Sequence, residues 1–150
     1  MIATFRKANR DDVPAVIALL QDDVLGAARE GGVDYLAAFD AMQAEGNNTL
    51  IVAEADGSIV ATYQLTFISG LSLRATRRAQ LESVRVASDL RGHGLGAQLI
   101  AEAERRARAA GCRLMQLTMN TSRTDAHRFY VANGFTASHT GFKRDLDEGE

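Results

Sequence analysis

Between Leu81 and Gly96 the chain reads Leu81-Glu82-Ser83-Val84-Arg85-Val86-Ala87-Ser88-Asp89-Leu90-Arg91-Gly92-His93-Gly94-Leu95-Gly96, an order that few folds admit. A run of strand character from Ala79 to Val86 passes through a short loop into glycines at every second position. Leu95, Leu99, Ala103 and Ala107 then continue at helical spacing. Glycine permits left-handed backbone and close approach, so successive N–H groups in such a turn can converge on an anion. The helix start behind them adds about half a positive charge. Alone, the glycines either shape a tight corner or cradle a diphosphate; the strand before them and the helix after them favour the cradle.

Three phosphate-binding patterns compete for this segment. Gly92, Gly94 and Ala97 satisfy the dinucleotide spacing GxGxxG/A, but Ser88 to Arg91 intervene after the strand, and the next strand ends Thr118-Met119-Asn120 without an acidic residue. The spacing GxxxxGK[ST] is absent, since the only lysines are Lys7 and Lys143. The third pattern fits: Arg91-x-x-Gly94-x-Gly96 after a strand ending Val84-x-Val86 resembles the coenzyme A signature of the GNAT superfamily of N-acetyltransferases. A second block, Ala126-His127-Arg128-Phe129-Tyr130-Val131-Ala132-Asn133-Gly134-Phe135, resembles the same family's A-x-x-[FL]-Y-x-x-x-G-F segment, with room for one helix and one strand between the two.

The resemblance implies an acetyl-CoA-dependent N-acetyltransferase that moves an acetyl group to an amine by direct attack, with no acetylated enzyme on the way. Such a reaction needs an unprotonated amine, a donor for the carbonyl oxygen as it becomes anionic, and an acid for the departing thiolate. An alkyl amine with pKa near ~10.4 is almost wholly protonated at neutral pH, so a base is useful. Glu82 is the candidate base; it matches an acidic position of many relatives, and strand alternation would put it on one face with Val84 and Val86. Binding of the substrate cation, or a structural ion pair, is the competing reading of Glu82. Tyr130 is implied as the acid, because a phenol of pKa ~10 still carries its proton where a thiolate of parent pKa ~8.5 leaves.

The resemblance also places the carbonyl-oxygen donor at the Val86 N–H, where the family's strand splays from its neighbour. Val84, Arg85 and Val86 would then line the pantetheine arm, and Arg91, Gly92, His93, Gly94, Leu95 and Gly96 would hold the diphosphate. Where many relatives carry asparagine seven residues before the tyrosine, this chain has Arg123, so the amide contact to pantetheine does not transfer. Arg123 and Asn120 are both candidates for a contact to the cofactor, and Asn120 reads equally well as a turn residue.

The remaining elements give the order of the fold. Ile2 to Ala8 suits a strand, and Asp11 would cap a helix whose Val13, Val16, Ile17 and Leu20 share a face. Gly26, Gly31 and Gly32 interrupt helicity, and Asp34 to Ala44 reads as a helix with Leu36, Phe39 and Met42 inward. Leu50 to Glu54 and Ser58 to Ile68 flank Asp56-Gly57 as a hairpin, and Gly70 to Arg78 is a loop carrying Arg74, Arg77 and Arg78. Leu95 to Ala110 is a helix stopped by Gly111, with Glu102 and Glu104 each four residues before an arginine. Leu114 to Met119 reads as a strand, Thr124 to Ala132 as a helix, Phe135 to Leu146 as short strands, and Asp145 to Glu150 as a solvated acidic tail. Together these predict an α+β fold, three layers α/β/α, with a mixed, largely antiparallel GNAT-like sheet of about six to seven strands and helices on both faces.

Composition bounds the alternatives. With 150 residues, 46% of them hydrophobic, the chain suits one domain over 1–150, and no stretch is left for a separate substrate module. A formal charge of −2 argues against broad attraction to nucleic acid or an acidic membrane, and no apolar run approaches the ~20 residues of a membrane span. Met1 to Arg6 lacks a signal-peptide shape and Cys112 has no partner for a disulfide, which together point to the cytoplasm. Cys112 reads as a small core residue; His93, His127 and His139 have no spacing for a metal, and no metal is expected. A GxSxG elbow is absent.

Two other classes remain as alternatives: a catalytically silent acyl-CoA-binding or sensing domain, and a nucleotide-cofactor oxidoreductase built on Gly92-x-Gly94-x-x-Ala97. The acceptor would be met by Val24 to Phe39 and the 70–78 loop. Those segments hold Glu30 and Asp34 as well as Arg74, Arg77 and Arg78, so neither sign of substrate charge is selected; a small molecule and a peptide are both open. Relatives in the family are often dimers, which makes a homodimer an expectation from the resemblance alone.

Overall fold

The hairpin closed by Asp56 and Gly57 sits at the middle of the sheet. In the computed structural model, which describes residues 1–147, both turn residues have positive φ, 51° and 78°. That is the paired left-handed geometry whose twist matches the strands it joins. In chain order the elements are β1 (Thr4–Lys7), a 3-10 turn (Arg10–Asp12), α1 (Val13–Leu20), α2 (Val24–Arg29), α3 (Tyr35–Glu45), β2 (Asn48–Ala55), β3 (Ser58–Ile68) and the single turn α4 (Ser72–Ala75). There follow β4 (Arg78–Val86), a 3-10 turn (Ser88–Leu90), α5 (Leu95–Ala109), β5 (Leu114–Gln116) and α6 (Thr124–Ala132). Two compact units make up the chain: Met1–Leu117, which holds the whole sheet, and the segment from Thr118 on, which holds α6.

The sheet order is β1-β2-β3-β4-β5, antiparallel except for the parallel β4–β5 pair that α5 connects. Alternation sorts its two faces. Val52, which opposes Thr62, packs with Ala8, Val13, Val16 and Phe39, so α1 and α3 cover one face. Ile51 opposes Tyr63 and Leu65 opposes Leu81; these fully buried residues lie on the other face, where α5 buries Leu95, Leu99, Ile100, Ala103 and Ala107. Helices therefore flank both sides of a mixed, mainly antiparallel sheet, as the sequence predicts. The predicted α5 stripe and its ion pairs are present: Arg106 Nε donates to Glu102 at 2.7 Å and Arg108 Nη2 to Glu104 at 2.8 Å. Gly111 takes φ 80° directly after the last turn of α5.

Several boundaries differ, each for a reason outside local pattern. The cap before α1 is not Asp11: Asn9 Oδ1 accepts from the Asp11 N–H, and Asp12 turns back to accept from the Asn9 N–H at 2.8 Å, a reciprocal box around the 3-10 turn. Gly26 does not break a helix but lies inside α2, buried against the end of α1. In α3 the inward residues are Tyr35, Phe39 and Met42, at i, i+4 and i+7, while Leu36 is 40% exposed. The 70–78 loop contains one turn, and there Leu73, Arg74 and Ala75 have φ near the left-handed region.

Among the described residues five strands form, not six to seven. β5 ends at Gln116 instead of Met119, and among the described residues Phe135 to Leu146 form no strand. Phe142 and Leu146 are almost fully exposed, so this run has neither a ladder partner nor a buried face, the two things that make an extended segment a strand. In the acidic tail the Asp147 N–H bonds to Asp145 at 2.9 Å; Glu148 to Glu150 lie outside the described residues.

Candidate active site

The predicted base sits beside an irregularity in β4. Gln64 opposes Glu82 and Thr62 opposes Arg85, so Ser83 and Val84 together face Tyr63 alone. This is a β-bulge, and Ser83 marks it with φ 52°. The extra residue shifts the alternation. Arg85, opposite Thr62, falls on the Glu82 face, whereas Val86 opposes Ala61 and joins the α5 face. The expectation that Glu82, Val84 and Val86 share one face is thus corrected, since period-2 counting fails across a bulge.

The other edge of β4 opens at the same place. β5 pairs with Arg78, Ala79 and Gln80 and then stops, so that among the described residues the strand from Leu81 onward has no ladder partner on that side. The Ala87 N–H bonds to Val60 O on β3 at 2.9 Å. Because strand N–H groups alternate in direction, the Val86 N–H points away from β3, toward the open edge. A strand donor aimed at an unfilled edge is a fit place for a carbonyl oxygen that gains charge.

Glu82 is exposed, and its Oε1 accepts from Gln80 Nε2 at 3.0 Å. Beside it, between the sheet and α1 and α3, lies a cavity of about 120 Å³ with Ile17, Leu20, Tyr35 and Phe39 as its apolar wall and Thr62, Gln64 and Ser83 as its polar floor. Tyr35 was not singled out by the sequence, although it directly follows the α3 cap Asp34. Its hydroxyl accepts from the Gly31 N–H at 2.6 Å and donates to Glu30 at 3.1 Å, which ties the α2–α3 loop over the cavity.

The glycine turn has the conformation that anion binding requires. Gly92 and Gly94 have φ 84° and 81°, and Gly94 stands at the start of α5. The first helical bond runs from Gln98 N–H to Gly94 O, so the N–H groups of Leu95, Gly96 and Ala97 precede the ladder. Arg91 and His93 are exposed on this turn, while Leu95 is buried beneath it and anchors the helix start. Asp22, after α1, reaches the segment from a distance in sequence: it accepts from the Ser88 N–H at 2.8 Å and from Ser88 Oγ at 3.1 Å. Those Ser88 bonds hold the Asp22 carboxyl below its ordinary range. No sequence motif announces this contact.

In the second unit Tyr130 is half-buried on α6, held edge-on by Phe129 at 5.2 Å and Phe135 at 5.7 Å between centroids. The Phe135 N–H also bonds to Tyr130 O at 3.0 Å, which fixes the chain after the helix. Asn120 Oδ1 accepts from the N–H and hydroxyl of Ser122, the turn role that competed with cofactor contact in the sequence. Arg123 stands half-buried at the N-terminal boundary of α6. Cys112 is buried in the first unit, and burial pushes its thiol up, away from nucleophile behaviour. Among the described residues no group of three or more His, Cys, Asp or Glu is placed to hold a metal, and no helix is long and apolar enough to cross a membrane.

The Acetyltransferase (GNAT) family matches residues 10–135, which carry the bulged strand, the glycine turn and α6. Aminoalkylphosphonate N-acetyltransferase of Salmonella typhimurium is 31% identical over 97% of this chain and 92% of its own length. Among solved structures, a protein described as a transcriptional regulator from Bacillus halodurans superposes with a TM-score of 0.92 at 41% identity, over 97% of this chain and all of the other. A putative acetyltransferase from Agrobacterium tumefaciens gives 0.84 at 30% identity, over 95% and 99% of the two chains. The chain belongs to the GNAT acetyltransferase family. It is an acetyl-CoA-dependent acetyltransferase, and the reaction it serves is acetyl transfer to an amine.

Proposed function

We propose that the acetyl group passes directly from acetyl-CoA to a small amine seated beside Glu82, with no acetylated enzyme between. One observation carries this reading: at a single bulge in β4, the Glu82 carboxylate lies next to the cavity under α1 and α3, and the Val86 N–H faces the open edge left by β5. Glu82 takes one proton from the ammonium of the acceptor, directly or through water, so that the neutral amine attacks the thioester carbon; the second N–H proton of the adduct passes to solvent water as the C–S bond breaks. The Val86 N–H receives the carbonyl oxygen as it becomes anionic, and Tyr130 donates its phenolic proton to the departing thiolate of coenzyme A.

Val84, Arg85 and Val86 follow the pantetheine arm, and Arg91 to Gly96 hold the diphosphate. Asn120 and Arg123 are the remaining candidates for contact with coenzyme A; the Asn120 oxygen is already committed to Ser122, which leaves its NH2 for a ligand. The family match runs across Leu117 and Thr118, and this supports reading 1–150 as one acetyltransferase domain. A cytoplasmic setting, with acetyl-CoA at hand, completes the proposal.

For the acceptor, the relative from Salmonella typhimurium supports aminoalkylphosphonates as the first compounds to test. Thiol release from acetyl-CoA is measured over 2-aminoethylphosphonate, amino acids, polyamines and short peptides. The small-amine reading expects turnover with a compact amine and none with peptides. Glu82→Gln should lower kcat by about 10²-fold with the best acceptor. Wild-type turnover in that variant removes Glu82 from the role of base. A catalytically silent acyl-CoA sensor would bind coenzyme A and release no thiol with any member of the panel.

A further inference from the structure

Four polar side chains meet in line on the face of the sheet that carries Glu82. Arg78, Gln80 and Glu82 project from β4 at i, i+2 and i+4, and Gln116 of β5 is the register partner of Gln80. Arg78 Nη1 donates to Gln116 Oε1 at 3.2 Å, Gln116 Nε2 donates to Gln80 Oε1 at 2.8 Å, and Gln80 Nε2 donates to Glu82 Oε1 at 3.0 Å. We propose that Arg78, Gln116 and Gln80 form a one-way hydrogen-bond relay that orients the Glu82 carboxylate toward the acceptor amine. This rests on the reading of Glu82 as the base and adds three positioning residues to it.

The direction of the relay follows from its two ends. A guanidinium has only donors, so the Gln116 atom that meets Arg78 is the amide oxygen, and the NH2 must face Gln80. Gln80 then presents its own oxygen to that NH2 and its NH2 to Glu82, whose ionised carboxylate has only acceptors. Each amide therefore has one orientation, although an isolated glutamine has two of similar energy. The relay engages Oε1 of Glu82, which leaves Oε2 to take the proton of the acceptor. A carboxylate on a bulged, exposed strand would otherwise sample several rotamers, and misplacement of a base by a fraction of a bond length is costly.

Reversing polarity tests this at nearly constant shape. Gln116→Glu keeps its partner Arg78 but has no donor for Gln80; Gln80 must turn its NH2 to the new carboxylate and its oxygen to Glu82, which is repelled. The fastest acceptor of the amine panel supplies the kinetics, and the side-chain NH2 signals of Gln80, assigned by their loss in Gln80→Leu, supply a readout that needs no acceptor. Expected for Gln116→Glu are a kcat lower by about tenfold or more with KM for acetyl-CoA unchanged, no further loss when Gln116→Glu is added to Glu82→Gln, and displaced Gln80 NH2 signals. Gln116→Leu, which cuts the relay without adding charge, should move the same signals.

Unmoved Gln80 signals in both variants overturn the relay, as does an equal loss of kcat from Gln116→Glu with and without Glu82. If Glu82→Gln retains wild-type kcat, the base reading fails whatever the Gln80 signals report, so the two failures are told apart.

Discussion

Glu82 is recognisable in the sequence as an acidic residue before Val84-x-Val86, but its working environment comes from residues that no motif includes. Gln80 could have been noted two positions earlier on the same face; Gln116 becomes its neighbour only when β5 pairs in parallel register. Tyr130 was legible through its motif, and its half-burial against Phe129 and Phe135 follows from the same block of sequence. Tyr130→Phe keeps the ring packing and removes the hydroxyl. Its kcat should fall by about 10²-fold while coenzyme A still binds, as read by steady-state kinetics and by calorimetry with coenzyme A. A second prediction concerns Asp12. The Arg6 guanidinium holds its carboxyl below the ordinary range, against the opposing effect of burial, and the Asn9 N–H adds to the lowering. A carboxyl depressed in the folded state stabilises at pH above its unfolded pKa of ~3.9, and that contribution is lost as pH falls through the folded value. Urea unfolding should therefore show Asp12→Asn less stable than the wild type at pH 7, with the gap closing below about pH 4.

Among the elements, β3, α5 and α6 could be read within one residue, and β2 within two, because Asp56-Gly57, the α5 stripe and the i,i+4 pairs are local signals. What local pattern misjudged lies at close approaches. Gly26 reads as a helix breaker, yet it sits within α2 because a Cβ there would come within 1.6 Å of Leu20 O at the end of α1. Helix propensity alone predicts that Gly26→Ala stabilises by up to ~1 kcal/mol. The contact predicts the opposite sign, a loss of about 1–3 kcal/mol as the α1–α2 corner is forced apart. Thermal and urea unfolding of that variant decides between them. Beside this corner, Asp22 fastens the end of α1 to Ser88, so the α1–α2 corner and the segment leading into the glycine turn are held together by bonds between residues far apart in sequence.

For the whole molecule, ligand linkage is the most direct check of the cofactor. Coenzyme A at a hundredfold excess over Kd should add about 2.7 kcal/mol of stability, seen as a rise in Tm, and NAD should add none. Stabilisation by NAD alone would restore the dinucleotide reading of Gly92, Gly94 and Ala97. The family, the order of elements from β2 to α6 apart from the single turn α4, the glycine turn before α5 and the two side chains proposed to react, Glu82 and Tyr130, were legible in the sequence, because each rests on spacing within a short segment; the separate helix α2 was not. The tertiary structure alone decided where the bulge in β4 falls, which residues share the Glu82 face, which edge is left open at Val86, and that Phe135 to Leu146 gain no strand partner among the described residues. Register is a relation between strands, and one inserted residue turns every later side chain to the opposite face, so no count along a single strand could have supplied it.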